Sequence, residues 1–227
     1  MTLVDFWPKL LACRQINSVD PQLAQALGLD PQTHRSAGLV TCDQDDALYV
    51  ALDHCTKFAN VEVKFGQSFY AGSKHASGPY SGEVMGIVAG EDPDEVAEAL
   101  WSLRNCLREE VRFQSFPGEN QPAFLAHVIS ETGRYLAPQA GISPGGPMAY
   151  LIAPPLEATL GVDAALKAVP VKLSKWIPPP SETNFAGAFL TGELADLNAA
   201  RDAFIAAVGD VAKTPLMASR RPERLRR

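Results

Sequence analysis

The order of predicted strands and helices occurs twice along this chain, and the repetition restricts the fold more than any single motif does. A strand candidate leads into a turn and a helix at Gly90-Glu91, and the same order recurs at Gly192-Glu193. A repeat at about half the chain length indicates duplication of one compact α/β unit, because solenoid repeats span only about 20–50 residues. We predict two units, residues 1–109 and 110–218, followed by a basic tail at 219–227.

Local signals place several elements within these units. Asp20-Pro21 and Asp92-Pro93 each combine a capping side chain with proline at the first helical position, and Gly28 is a typical helix end. Glu95 stands where a capping box requires an acid. Apolar residues alternate with charged ones from Val61 to Phe65, which predicts a strand with Val61, Val63 and Phe65 on its buried face.

A proline-rich segment joins two apolar runs in the second half. Three consecutive prolines at 178–180 fix the backbone in a stiff, extended connection. The following polar residues, at 181–184, carry hydroxyl, carboxylate and amide groups that can bond either nearby backbone or a small polar ligand. The segment alone is therefore consistent with a well-anchored loop or with a binding loop.

Composition and charge exclude several classes of protein. The 227 residues are 46% hydrophobic and 20% charged, which is ordinary for a globular chain. The net charge is −6, and residues 220–227 contribute +4, so the remainder carries −10 and disfavours nucleic acid as a partner. Apolar stretches are too short to span a membrane, and the N-terminus lacks the pattern of a signal peptide. We predict a cytoplasmic protein with no membrane contact.

Cysteines and histidines give no metal-binding pattern. The four cysteines have no Cys-x-x-Cys pair, so buried free thiols are expected instead of a disulfide framework or zinc site. The four histidines are well separated, and a lone histidine is more often structural than a ligand. We predict neither a metal site nor a cofactor.

Three acids are the candidates for chemistry. Asp45, Asp46 and Glu83 could perform acid–base catalysis only with a nucleophile, metal or electrophile beside them, and no such partner is evident. The chain has no P-loop, no His-Glu-x-x-His and no dinucleotide-binding glycine pattern. The non-functional interpretation of Asp45 and Asp46 is a helix start with solvated carboxylates. An acid–base hydrolase or lyase acting on a small amine stays open as the alternative.

Motifs spread over nearly the whole chain resemble one family. They are residues 45–46 (DD), 61–63 (VEV), 68–72 (SFYAG), 82–84 (GEV), 124–128 (FLAHV), 147–151 (PMAYL), 154–159 (PPLEAT), 161–167 (GVDAALK), 178–184 (PPPSETN) and 189–192 (FLTG). With these motifs the chain resembles the EutL family, the tandem-domain shell proteins of ethanolamine-utilisation bacterial microcompartments.

The resemblance implies a fold and an assembly. The implied fold is α/β (α+β), with two tandem, circularly permuted microcompartment-shell domains, each a small antiparallel-rich sheet flanked by helices. Three chains would form a homotrimeric, pseudohexagonal tile that packs beside other shell proteins. The implied role is structural and not enzymatic, with a gated central pore for small substrates or a cobalamin-sized cofactor.

The resemblance also implies a ligand site. It places ethanolamine in a small pocket lined by Asp45, Asp46, Glu83, Phe113, Thr183, Asn184 and Phe185. Carboxylates suit the ammonium group, and an aromatic face adds cation–π attraction. It further assigns pore gating to the glycine-rich residues 66–81, where His75 would be the candidate if zinc bound near the pore. A soluble amine sensor that never assembles is the third alternative.

Overall fold

The structure is a computed structural model, and it describes residues 2–69, 84–179, 181 and 184–216. In the first half, an antiparallel four-stranded sheet has the order β2-β3-β5-β4. Its strands are β2 (Leu10–Ile16), β3 (Ser36–Cys42), β4 (Glu62–Ser68) and β5 (Val84–Gly90). The described residues of this half also form the helices α1 (Pro21–Ala26), α2 (Asp45–Cys55) and α3 (Pro93–Glu109).

The second half builds an antiparallel six-stranded sheet with the order β1-β6-β7-β8-β10-β9. Its strands are β1 (Val4–Phe6), β6 (Phe113–Ser115), β7 (Ala123–Ile129), β8 (Met148–Ala153), β9 (Lys172–Ile177) and β10 (Ala186–Thr191). Helices α4 (Pro155–Ala168) and α5 (Leu194–Lys213) pack against it. The N-terminal strand β1 joins this sheet by pairing with β6, with Val4 opposite Ser115.

The two halves have the same topology. Apart from α1, which lies between β2 and β3, the described order β2-β3-α2-β4-β5-α3 in the first half corresponds to β7-β8-α4-β9-β10-α5 in the second, and the strands are arranged in the same spatial order. Both halves also have a β-bulge in the corresponding strand: Lys64 in β4 and Ser174 in β9 each have no partner residue in the strand pairing. A β-bulge is a local backbone feature. Its presence at matching places supports the duplication that the sequence predicts.

The bulge also overturns one prediction about β4. Val61 is buried and Val63 is half-buried as expected, but Phe65 lies 37% exposed. An extra residue in a strand moves every later side chain to the opposite face, since side chains alternate with a period of two. The expectation that Phe65 lies on the buried face was therefore wrong.

The predicted helix starts are confirmed, with one change. Asp20 and Asp92 cap α1 and α3 by accepting the N–H groups of Gln22 and Asp94, both at 2.9 Å. The carboxylate of Glu95, however, accepts the N–H of Asn60 at 2.6 Å. The capping-box acid thus fastens the turn before β4.

Strand β8 is buried on both faces, which explains its continuous apolar sequence. Met148, Tyr150 and Ile152 pack in one core with residues of α2 and α3, including Leu48 and Leu103. The alternate residues of β8 lie in a second core with α4 and α5; they are Ala149, Leu151 and Ala153. The six-stranded sheet therefore has helices of both halves against it.

No helix in the described ranges has the length and hydropathy needed to cross a membrane.

Candidate functional site

The first turn of α2 presents two neighbouring carboxylates. Asp45 and Asp46 are each 6% exposed, and the N–H of Asp46 donates to Asp45 Oδ1 at 2.8 Å. The positive end of a helix dipole stabilises negative side chains at this position, typically by 0.3–1 kcal/mol. The sequence correctly places both acids at a helix start, but they are buried and not solvated.

Tyr150 on β8 forms a hydrogen bond with Asp46 from the sheet of the second half. Its hydroxyl donates a short hydrogen bond to Asp46 Oδ1. Complete burial, together with the negative charge of Asp46, raises the pKa of Tyr150 well above its usual value. The ring of Phe189 contacts it edge-on, with centroids 4.6 Å apart. Tyr150 therefore remains a protonated donor over the whole physiological pH range.

A cavity of about 390 Å³ opens above these acids, between the two halves of the chain. Its walls come from α2, β4, β8, β9, β10, the connection between β7 and β8, and the segment after β9. The lining residues are Asp45, Asp46, Tyr49, Gly66, Tyr135, Leu136, Gln139, Tyr150, Lys175, Trp176, Ile177, Pro178, Ser181 and Phe189. Aromatic side chains make up much of this wall, while both carboxylates lie at one end of α2.

Lys175 adds a positive charge to the same cavity. Its ammonium donates to Gln139 Oε1 at 3.2 Å and lies 5.2 Å from the centroid of the Phe189 ring. Cation–π attraction of this kind contributes about 0.5–2 kcal/mol. The cavity thus offers anionic acceptors and a cationic donor, which suits a small polar ligand with both an amine and an oxygen function.

A buried carboxylate fixes the wall contributed by the β7–β8 connection. Asp53 of α2 accepts the N–H groups of Gly133 at 2.6 Å, Tyr135 at 3.1 Å and Leu136 at 2.6 Å. Nearby, Arg134 donates through its guanidinium to the carbonyl oxygens of Ala59 and Val61, at 2.8 and 3.1 Å. These bonds join the two halves and set the positions of Tyr135 and Leu136 in the cavity.

The predicted residues of the proline-rich segment lie beside the cavity. Ser181 lines it, and its hydroxyl oxygen accepts the N–H of Phe185 at 3.0 Å. Phe185 packs on Phe113 of β6, with ring centroids 5.8 Å apart, and neither ring is among the lining residues. Asn184 is exposed and has a φ of 64°, a left-handed conformation that asparagine tolerates. The predicted residues therefore form two groups, the acids in the cavity and the aromatic pair behind Ser181.

Several predictions fall outside the described residues. They are Glu83 and Thr183 of the ligand site, His75, most of residues 66–81, and the basic tail at 219–227. Their roles stay predictions.

The sequence did not single out Tyr49, Tyr150 or Lys175. One signal for Tyr150 was available, because a tyrosine inside an apolar strand needs a partner for its hydroxyl. For Lys175, alternation within β9 gave no indication, because the bulge at Ser174 changes the face on which it lies.

No family model matches the chain. It is 48% identical over 209 residues to the bacterial microcompartment shell protein EutL of Salmonella typhimurium, covering 92% of this chain and 95% of the relative. The crystal structure of EutL from Clostridium perfringens superposes with a TM-score of 0.89 at 44% identity, covering 95% of this chain and 98% of that one. The crystal structure of the ethanolamine utilization protein EutL from Leptotrichia buccalis gives a TM-score of 0.91 at 45% identity, covering 96% and 100%. Both halves lie within these matches.

Proposed function

Since the chain belongs to the EutL family of bacterial microcompartment shell proteins, we propose that it assembles as a homotrimeric shell tile with an ethanolamine pocket in each chain. It is a structural protein of the ethanolamine-utilisation microcompartment and not an enzyme. The division of the chain at residues 109 and 110 is part of the proposal, since it falls between the end of α3 and the start of β6.

The internal duplication supports the trimer. Three chains would bring six units of the same topology into one closed ring, with contacts between unlike surfaces of neighbouring chains. Large apolar side chains remain on the described surface, among them Phe58 at 59% and Trp101 at 60% exposure. Interfaces in a stable tile would cover such residues, since specific contacts bury at least about 1,000 Å².

One observation carries the ligand proposal: two buried carboxylates, Asp45 and Asp46, border an aromatic-walled cavity between the two halves. A primary ammonium would be recognised by these carboxylates through charge-assisted hydrogen bonds. The alcohol oxygen of ethanolamine would bond to the polar groups on the opposite wall, such as Ser181 or Lys175. Glu83, Thr183 and Asn184 would complete the site as the family resemblance predicts, and the Phe113–Phe185 pair would support it from behind Ser181.

The cavity also adjoins the segment assigned to the pore. Gly66 lines it, and the N–H of Ser68 donates at 2.9 Å to the hydroxyl of Tyr49, which lines it as well. A ligand here would contact the end of β4, directly before the rest of residues 66–81. We propose that ethanolamine occupancy thereby controls the central pore, through which small substrates or a cobalamin-sized cofactor pass.

Titration calorimetry with ethanolamine tests the pocket. Wild type is expected to bind one molecule per chain, and Asp45→Asn and Glu83→Gln should each weaken binding by about 1.5–3 kcal/mol, or roughly 10- to 150-fold. Asp163→Asn, which changes an exposed acid on α4 paired with Lys167, should leave binding unchanged.

Two results would contradict the pocket assignment: no heat from wild type at millimolar ethanolamine, or equal affinity in all variants. Released ammonia that disappears in the variants would favour the amine-cleaving enzyme instead. A clean monomer in light scattering, together with ethanolamine binding, would favour the soluble sensor.

A further inference from the structure

Three side chains of the types that bind metal ions converge at the ends of α2 and α3, away from the cavity beside Asp45 and Asp46. They are His54 in the last turn of α2, Cys106 in the last turn of α3, and Glu110, the C-cap residue directly after α3. Their ligand atoms all lie within 4.8 Å of one another, and His54 Nδ1 is 3.4 Å from Glu110 Oε2.

The helices themselves create this arrangement. Cys106 and Glu110 are four residues apart, so their side chains lie on the same face of α3. The Phe58 ring packs against the His54 imidazole, with centroids 4.9 Å apart. The Phe58 ring thus packs beside an imidazole whose Nδ1 lies 3.4 Å from Glu110 Oε2.

We propose that His54, Cys106 and Glu110 form a binding site for a divalent transition-metal ion of the zinc type. This proposal differs from the sequence-based prediction of no metal site, which used only the spacing of cysteines and histidines along the chain. Residues 54 and 106 are distant in the sequence and meet only when α2 packs on α3.

The donor set matches the chemistry of zinc. Zinc binds imidazole nitrogen, thiolate sulfur and carboxylate oxygen at about 2.0–2.3 Å, so ligand atoms around it lie about 3.3–3.8 Å apart. The distance between His54 and Glu110 already falls in this range. One thiolate and one carboxylate would neutralise the ion, and a water molecule would fill the fourth position.

The ionisation of His54 and Cys106 is consistent with metal binding. Burial and the nearby Lys57 ammonium lower the pKa of His54, so its imidazole is neutral at pH 7 and keeps a lone pair for the ion. Burial raises the pKa of the Cys106 thiol, which therefore remains protonated until a metal displaces the proton. Binding should release about one proton per ion.

The surroundings allow an ion to enter. The Glu110 side chain is 51% exposed, whereas Cys106 is buried. Asp53 is close by, but its oxygens are occupied by the three backbone N–H groups of the β7–β8 connection. His127 lies across a cavity of about 100 Å³ that His54 and Glu110 also line, and it could replace the water.

Cobalt titration of the full-length protein tests the proposal. Chelator-treated, fully reduced protein is titrated with Co²⁺, and the thiolate-to-cobalt charge-transfer band in the near ultraviolet is recorded. We expect a saturable band at one ion per chain. Cys106→Ser should abolish the band, and Glu110→Gln should weaken cobalt binding by more than tenfold. Mutating a residue that only hydrogen-bonds to a metal ligand already lowers metal affinity roughly 10- to 100-fold, so removing a ligand should cost at least as much.

Controls separate this site from others. Cys13→Ser removes another free thiol, and His75→Ala removes the histidine assigned to the pore; both variants should retain the full band. No band in wild type would overturn the proposal, as would a band that persists in Cys106→Ser. Glu110→Gln changes a half-exposed side chain and should leave the fold intact. Unaltered cobalt affinity in that variant would therefore contradict the site even if Cys106→Ser failed to fold.

Discussion

Replacing Asp53 with asparagine tests whether one buried carboxylate holds the two halves of the chain together. The side chain accepts three backbone N–H groups across the joint: Oδ1 bonds Tyr135 and Leu136, and Oδ2 bonds Gly133. Asparagine has the same shape but only one acceptor oxygen. Its amide nitrogen would therefore face the N–H of Gly133, donor against donor.

The structure gives the size of the effect. An unsatisfied buried N–H costs about 1–3 kcal/mol, and each of the two remaining bonds loses about 1 kcal/mol when a neutral oxygen replaces a charged one. We expect Asp53→Asn to lower the free energy of unfolding by about 3–5 kcal/mol. For a chain of this length, that corresponds to a fall in Tm of roughly 6–20 °C.

Differential scanning fluorimetry at one fixed protein concentration measures this change, since the stability of an oligomer depends on concentration. Asp163→Asn is the matched control, because it makes the same chemical change in an exposed pair with Lys167 that contributes at most about 0.5 kcal/mol. A Tm for Asp53→Asn no lower than that of Asp163→Asn would refute this account of the joint.

Three further perturbations have expected outcomes. Gly133→Ala should destabilise the protein by at least about 1–3 kcal/mol in chemical denaturation, because its Cβ would overlap the backbone oxygen of Asp53. Tyr150→Phe should cost about 1.5–3 kcal/mol by removing the hydrogen bond to the buried carboxylate of Asp46. Burial lowers the pKa of His127 from 6.5 to about 4, so the unfolded chain binds the proton more tightly than the folded protein does. The free energy of unfolding should therefore fall as the pH drops from about 6.5 to 4. In urea titrations, His127→Gln should make this pH dependence weaker.

Local signals in the sequence predicted the duplicated order of elements and the helix starts. An N-cap such as Asp92 acts on the N–H of Asp94, two residues away, so its effect can be read along the chain. The position of Asp45 and Asp46 in the first turn of α2 followed in the same way.

Contacts between distant residues were not predictable by the same means. Asp53 bonds residues about 80 positions away, and Asp46 meets Tyr150 across 104 positions. Strand β1 joins the second sheet by pairing with β6, which lies more than 100 residues away along the chain. No periodicity in a short window records such a pairing, so these parts of the fold and of the candidate site required the three-dimensional structure.

Native mass spectrometry with and without ethanolamine tests the central proposal most directly, because one spectrum reports both the number of chains and the bound ligand. The account predicts a dominant species at three times the 24.4 kDa chain mass, which gains up to three ethanolamine molecules when the ligand is added. A spectrum dominated by the monomer, or a trimer whose mass is unchanged at saturating ethanolamine, would contradict it.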